Sequence, residues 1–121
     1  MRFLSMIRLD ETKGQKPSEK LLTDMGKLVE EMTRKGAIVR TAALRPSKEG
    51  VRVVWRKGAL STVDGPFTET KEVIAGFAVI EAPSMQEAIE LTKRFVRVHG
   101  DDWDIECEVR QMDGQEKGIE A

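Results

Sequence analysis

The sequence predicts an α+β fold in which two amphipathic helices lie on one face of a mostly antiparallel sheet. Three observations carry this. Apolar residues recur at helical spacing in two separate segments. The segments around them alternate apolar and polar residues or run through branched side chains, as strands do. The order along the chain is β-α-β, a hairpin, then β-α-β, which is a two-layer arrangement.

Arg2–Leu9 reads as the first strand. Phe3, Ser5, Ile7 and Leu9 share one face and Leu4, Met6 and Arg8 the other, so both faces are partly apolar, as suits a central strand. A polar loop follows over residues 10–16. The first helix starts near Ser18, an N-cap residue just after Pro17. Leu21, Leu22, Met25, Leu28, Val29 and Met32 form its apolar stripe. Arg34 and Lys35 suit the negative end of the helix dipole, and Gly36 supplies a left-handed cap.

Residues 37–44 are the second strand and 45–50 a loop. Residues 51–55 and 59–63 form a hairpin around Arg56-Lys57-Gly58. Asp64-Gly65-Pro66-Phe67 is a tight turn by composition. Residues 73–82 are a further strand. Ser84 and Glu87 form a capping box for the second helix, whose stripe is Met85, Ala88, Leu91, Phe95 and Val98. His99-Gly100 ends it. Ile105, Cys107 and Val109 then alternate with charged residues in the last strand, and the tail from residue 113 is polar. The expected organisation is one domain over residues 1–112 with a C-terminal tail over 113–121. The topology is ferredoxin-like βαββαβ with an added hairpin.

The helices cover one sheet face and leave the other. Trp55, Phe67 and Phe77 need cover, so a homodimer joined through the open sheet faces is expected. The 20 basic and 21 acidic residues are well mixed and give a net charge of −1, which offers nucleic acid no footprint. No apolar run reaches the ~20 residues needed to span a bilayer. A single cysteine forms no internal disulfide, which fits a cytoplasmic setting. One His and one Cys are too few for a zinc site built on them, so neither a metal nor a cofactor is expected.

The run Asp64-Gly65-Pro66-Phe67-Thr68-Glu69-Thr70-Lys71-Glu72, followed by Ile74-Ala75-Gly76-Phe77, resembles the signature of the DGPF family within the YCII-related superfamily. The resemblance implies a dimeric α+β barrel, two sheets facing each other around a cleft. Some relatives in that superfamily use a His-Asp pair, and one branch performs cofactor-free dehydrochlorination. Asp64 falls where their aspartate is expected, but residues 18–23, where their histidine lies, contain none here. Genes of DGPF proteins often lie beside those of extracytoplasmic-function sigma factors.

These residues support two functional expectations. In one, the chain is a cofactor-independent enzyme acting on a small molecule. Asp64 moves a proton, because a carboxylate in an apolar cleft is readily tuned for acid-base work. Trp55, Phe67 and Phe77 shape the cleft, Gly65 and Pro66 fix the turn, and Glu69 and Lys71 hold Asp64 or the ligand. His99, the only imidazole, is a further catalytic candidate beside its plainer role as a helix cap. In the other expectation, the chain is a non-catalytic dimeric module that binds a metabolite or a regulator linked to sigma-factor signalling. Asp64 also has an ordinary role open to it, since aspartate at the start of a turn accepts from backbone two residues on.

Overall fold

Ser18 and Ser84 set the helix starts. Each side-chain oxygen accepts from a backbone N–H three residues on, Leu21 at 3.0 Å and Glu87 at 3.2 Å, so α1 spans Glu19–Arg34 and α2 spans Met85–Val98. Gly36 adopts φ +74°, the left-handed conformation the sequence predicts for it. The computed structural model of the protein describes residues 1–67 and 72–114.

The strands are β1 (Arg2–Leu9), β2 (Ile38–Ala43), β3 (Val51–Arg56), β4 (Ala59–Asp64), β5 (Val73–Glu81) and β6 (Glu106–Gln111). Four of them form one antiparallel sheet in the order β2-β5-β1-β6. Counting only that sheet's own strands, this is the ferredoxin-like order fourth, first, third, second. β1 is central, as its two partly apolar faces predict. Phe3 stands opposite Ile80 and Gln111, Ser5 opposite Ala78 and Val109, and Ile7 opposite Gly76 and Cys107.

The hairpin β3–β4 is a sheet of its own. Its turn is Lys57-Gly58, both at positive φ, the pairing a two-residue hairpin turn requires. Val53, Trp55 and Leu60 on it are each about two-thirds exposed or more, at 71%, 67% and 70%.

Two apolar clusters hold the layers together at one end of the molecule. Phe3, Ala78, Ile80, Ala82 and Ala88 form the first, with Leu91 and Val109 against them. Leu28, Met32 and Ile38 form the second, with Phe95 and Val98 beside them. Each large side chain buried here contributes about 1.5–3 kcal/mol. Glu31 of α1 also meets Arg94 of α2 at 2.9 Å across the helix pair. Two stripe residues depart from the core positions the periodicity predicts. Met85 is 38% exposed because it opens α2 and borders a groove between that helix and β6, and Leu22 is 61% exposed for a reason that lies in the site.

On the helix-free side of the sheet, Leu4, Met6, Phe77 and Val79 form a half-buried apolar band. Strand alternation puts them opposite the buried Phe3, Ser5, Ala78 and Ile80. Charged residues flank the band, among them Arg8 and Glu108 at 3.5 Å. No helix among the described residues is long and apolar enough to cross a membrane.

Candidate functional site

Beside the two clusters, helices and sheet part around a cavity of about 1120 Å³, and Ala78 and Phe95 border both core and cavity. The second half of β1, the first half of β5 and the end of β2 form its floor, including Ser5, Ile7, Gly76 and Ala43. Leu21, Leu22, Met25 and Val29 of α1 make one wall. Phe95, Val96 and His99 of α2, with Trp103, make the other. Leu22 is exposed because it stands at this opening rather than over packed sheet. A smaller groove of about 590 Å³ runs between α2 and β6 and shares Cys107 with the cavity.

Four loops make the rim, and side chains fasten them to one another. Lys13 meets Asp104 at 3.1 Å, and the Gln15 amide donates to the Asp102 carbonyl at 2.7 Å. Both contacts tie the loop after β1 to the loop after α2. The Glu11 carboxylate accepts from the Ser47 N–H at 3.1 Å and from the Ser47 hydroxyl in a very short contact. Ser47 is buried, in the turn Ser47–Glu49 between β2 and β3. Its hydroxyl oxygen in turn accepts from the Phe67 N–H at 3.3 Å. Glu11, Ser47 and Phe67 therefore connect the β1 loop, the turn and the loop after β4 in one line.

The signature segment is the last member of that line. The Gly65 N–H donates to the Gly50 carbonyl at 2.9 Å, and the Gly65–Pro66 peptide is cis. A Cβ on Gly65 would overlap the Ser47 carbonyl oxygen and lie 2.6 Å from its carbon, so only glycine fits. Pro66 and Phe67 line the cavity. The Phe67 ring also packs on the Arg52 guanidinium, 3.9 Å from ring centre.

The other sequence-predicted residues are spread out. Asp64 is the last residue of β4, exposed and opposite Val51, and does not line the cavity. Trp55 points to solvent from the hairpin. Phe77 belongs to the floor strand, with its ring turned by alternation to the helix-free face. Glu69 and Lys71 lie outside the described residues.

His99 caps α2, as its plainer expected role has it, and also lines the cavity. No hydrogen bond among the described residues joins it to Asp64. Its Nδ1 lies 2.9 Å from the Phe95 carbonyl oxygen, and its ring stands edge-on to Trp103 at 5.7 Å. A carbonyl only accepts, so Nδ1 carries the proton.

Ser5, Thr92 and Cys107 add a small polar group where floor and α2 meet. The Thr92 hydroxyl donates to Ser5 Oγ at 3.3 Å. Burial pushes the Cys107 thiol above its ordinary value, against a hydrogen bond with Ser5 that pulls it down. Such a thiol is a poor nucleophile at neutral pH. No group of three His, Cys, Asp or Glu side chains among the described residues is placed to hold a metal ion.

The sequence reading missed Glu11 and Ser47. They sit in two polar loops 36 residues apart, and only the folded chain brings them together.

A profile of the YCII-related domain matches residues 1–101. The chain belongs to the YCII-related family. That match takes in β1 through α2, every rim loop up to residue 101 and the whole signature segment. Among curated proteins, the uncharacterized protein R00369 of Rhizobium meliloti (strain 1021) is 27% identical over 80 residues. Those residues are 66% of this chain and 64% of that protein, so the chain spans less than two-thirds of its relative's length. In this YCII-related chain the signature segment has a visible structural task. Its glycine seats the loop on the Ser47 turn, and its proline and phenylalanine finish the cavity rim.

Proposed function

We propose that this YCII-related protein binds a small molecule with a mainly apolar body in the cavity between its helices and its sheet. The observation that carries this is the cavity itself. It lies beside a packed core, has mainly aliphatic and aromatic walls, and is rimmed by loops that carry charged residues, among them Asp10, Glu11, Lys16, Arg45 and Lys48, and that are fastened to each other, the usual character of a small-ligand site.

Two features of the expected site bear on this reading. The sequence suggests a cleft between two sheets of a dimer, whereas the cavity within one chain lies on the opposite, helix-covered side. The dimer itself still has a rationale. The band of Leu4, Met6, Phe77 and Val79 with charges of both signs around it suits pairing about a two-fold axis, and we propose that pairing as the quaternary state. It would leave the helix-side cavity of each copy free.

Cofactor-independent turnover of the bound molecule is the enzyme form of the proposal, with His99, which lines the cavity, as the proton-moving group in place of Asp64, which the fold leaves outside it. A thermal-shift screen of small aromatic and alicyclic compounds tests the binding claim. Compounds that fit raise the melting temperature of the native protein, and Met25→Trp, which narrows the cavity at its α1 wall, reduces that rise. A panel without any shift, or shifts untouched by the narrowing substitution, would remove the support for this site. For a compound that is turned over, His99→Asn should abolish turnover and Asp64→Asn should leave it unchanged.

A further inference from the structure

We infer that Nε2 of His99 is the polar anchor of the cavity, accepting a hydrogen bond from a single N–H or O–H on a flat apolar ligand. This rests on the cavity being the binding site.

Nδ1–H is committed to the Phe95 carbonyl at 2.9 Å, so the neutral ring has its lone pair on Nε2. No hydrogen bond among the described residues reaches that nitrogen, although the ring lines the cavity. The ring cannot readily swing away. The Phe95 carbonyl holds one edge, Trp103 stands against it at 5.7 Å, and residue 99 is fixed as the cap of α2. The loop beside it is tied down by Lys13 to Asp104 and Gln15 to the Asp102 carbonyl. An oriented acceptor among apolar walls selects against ligands that lack a donor. A binder without one leaves the nitrogen stripped of water and unpaired. The nearby walls, Phe95, Val96 and Trp103, suit a flat ring.

The chain contains a single histidine, so its imidazole nitrogens give the only such signals in a nitrogen-15 spectrum. Indole and benzofuran serve as probes, nearly equal in shape but with and without the N–H. The free protein should show the tautomer protonated on Nδ1. Indole should bind about three- to tenfold more tightly than benzofuran, the worth of one neutral hydrogen bond. It should also shift the Nε2 resonance, and benzofuran should not. His99→Asn should bring the two affinities together. Equal affinities with unmoved histidine nitrogens, while the Met25 methyl responds, would overturn the anchor and leave the cavity site standing. A preference for indole that persists in His99→Asn, or a proton on Nε2 in the free protein, would also overturn it. No response of either kind to either probe would remove both the anchor and the site.

Discussion

Gly65→Ala puts one methyl group where the rim has no room for it. The new Cβ would overlap the Ser47 carbonyl oxygen and lie 3.3 Å from the Gly50 carbonyl oxygen, and both neighbours are backbone that cannot rotate aside. Relief requires the loop after β4 to move off the Ser47 turn. That breaks the bonds from the Gly65 N–H to the Gly50 carbonyl and from the Phe67 N–H to Ser47 Oγ. Two hydrogen bonds are worth about 1–3 kcal/mol together, and overpacking adds about 1–3 kcal/mol more. A loss of about 3 kcal/mol corresponds to roughly a hundredfold faster opening of the loop. Amide hydrogen exchange reads this directly, because Gly65 and Phe67 report the seat whether the loop opens alone or with the whole domain. Both amides should exchange roughly a hundredfold faster in the variant. Wild-type protection at both would refute the view that the signature glycine exists to seat this loop.

Three further outcomes are expected. Arg94 and Lys35 hold the Glu31 carboxyl below its ordinary value by hydrogen bonds, so its contribution is present above the unfolded value near 4.3 and is lost as pH falls through the folded one. Glu31→Gln should therefore lower the urea midpoint at pH 7 and leave it close to wild type at pH 2, and an equal deficit at both would contradict the pairing. Cys107 should react with a disulfide reagent more slowly than a free cysteine at pH 8, since burial raises its pKa, and more slowly again with indole present. Val79→Glu, in the middle of the helix-free face, should convert a dimer to monomers in analytical ultracentrifugation while the fold is retained, and an unchanged sedimentation coefficient would place any pairing elsewhere.

The elements themselves were readable because their signals are local. Ser18 and Ser84 announce helix starts within three residues, Gly36 marks an end, and the alternation from Phe3 to Leu9 separates two sheet faces. The site was less readable because it is assembled from distant loops. Nothing near Glu11 says that it will meet Ser47, and nothing in the helical stripe of α1 separates Leu28, which is buried, from Leu22, which borders an opening. The signature segment was visible as a motif, but its part in the rim depends on contacts with the turn at Ser47. His99 read as a helix cap because capping is local; its place in the cavity wall follows from how α2 crosses the sheet.

Methionine methyl spectra during a titration with indole offer the most direct check on where a ligand sits. Met25 belongs to the cavity wall, and Met6 belongs to the apolar band on the helix-free face. A site between helices and sheet predicts that the Met25 methyl shifts and saturates while Met6 stays still. Movement of Met6 with Met25 unchanged would put the ligand on the other side of the sheet and contradict the account.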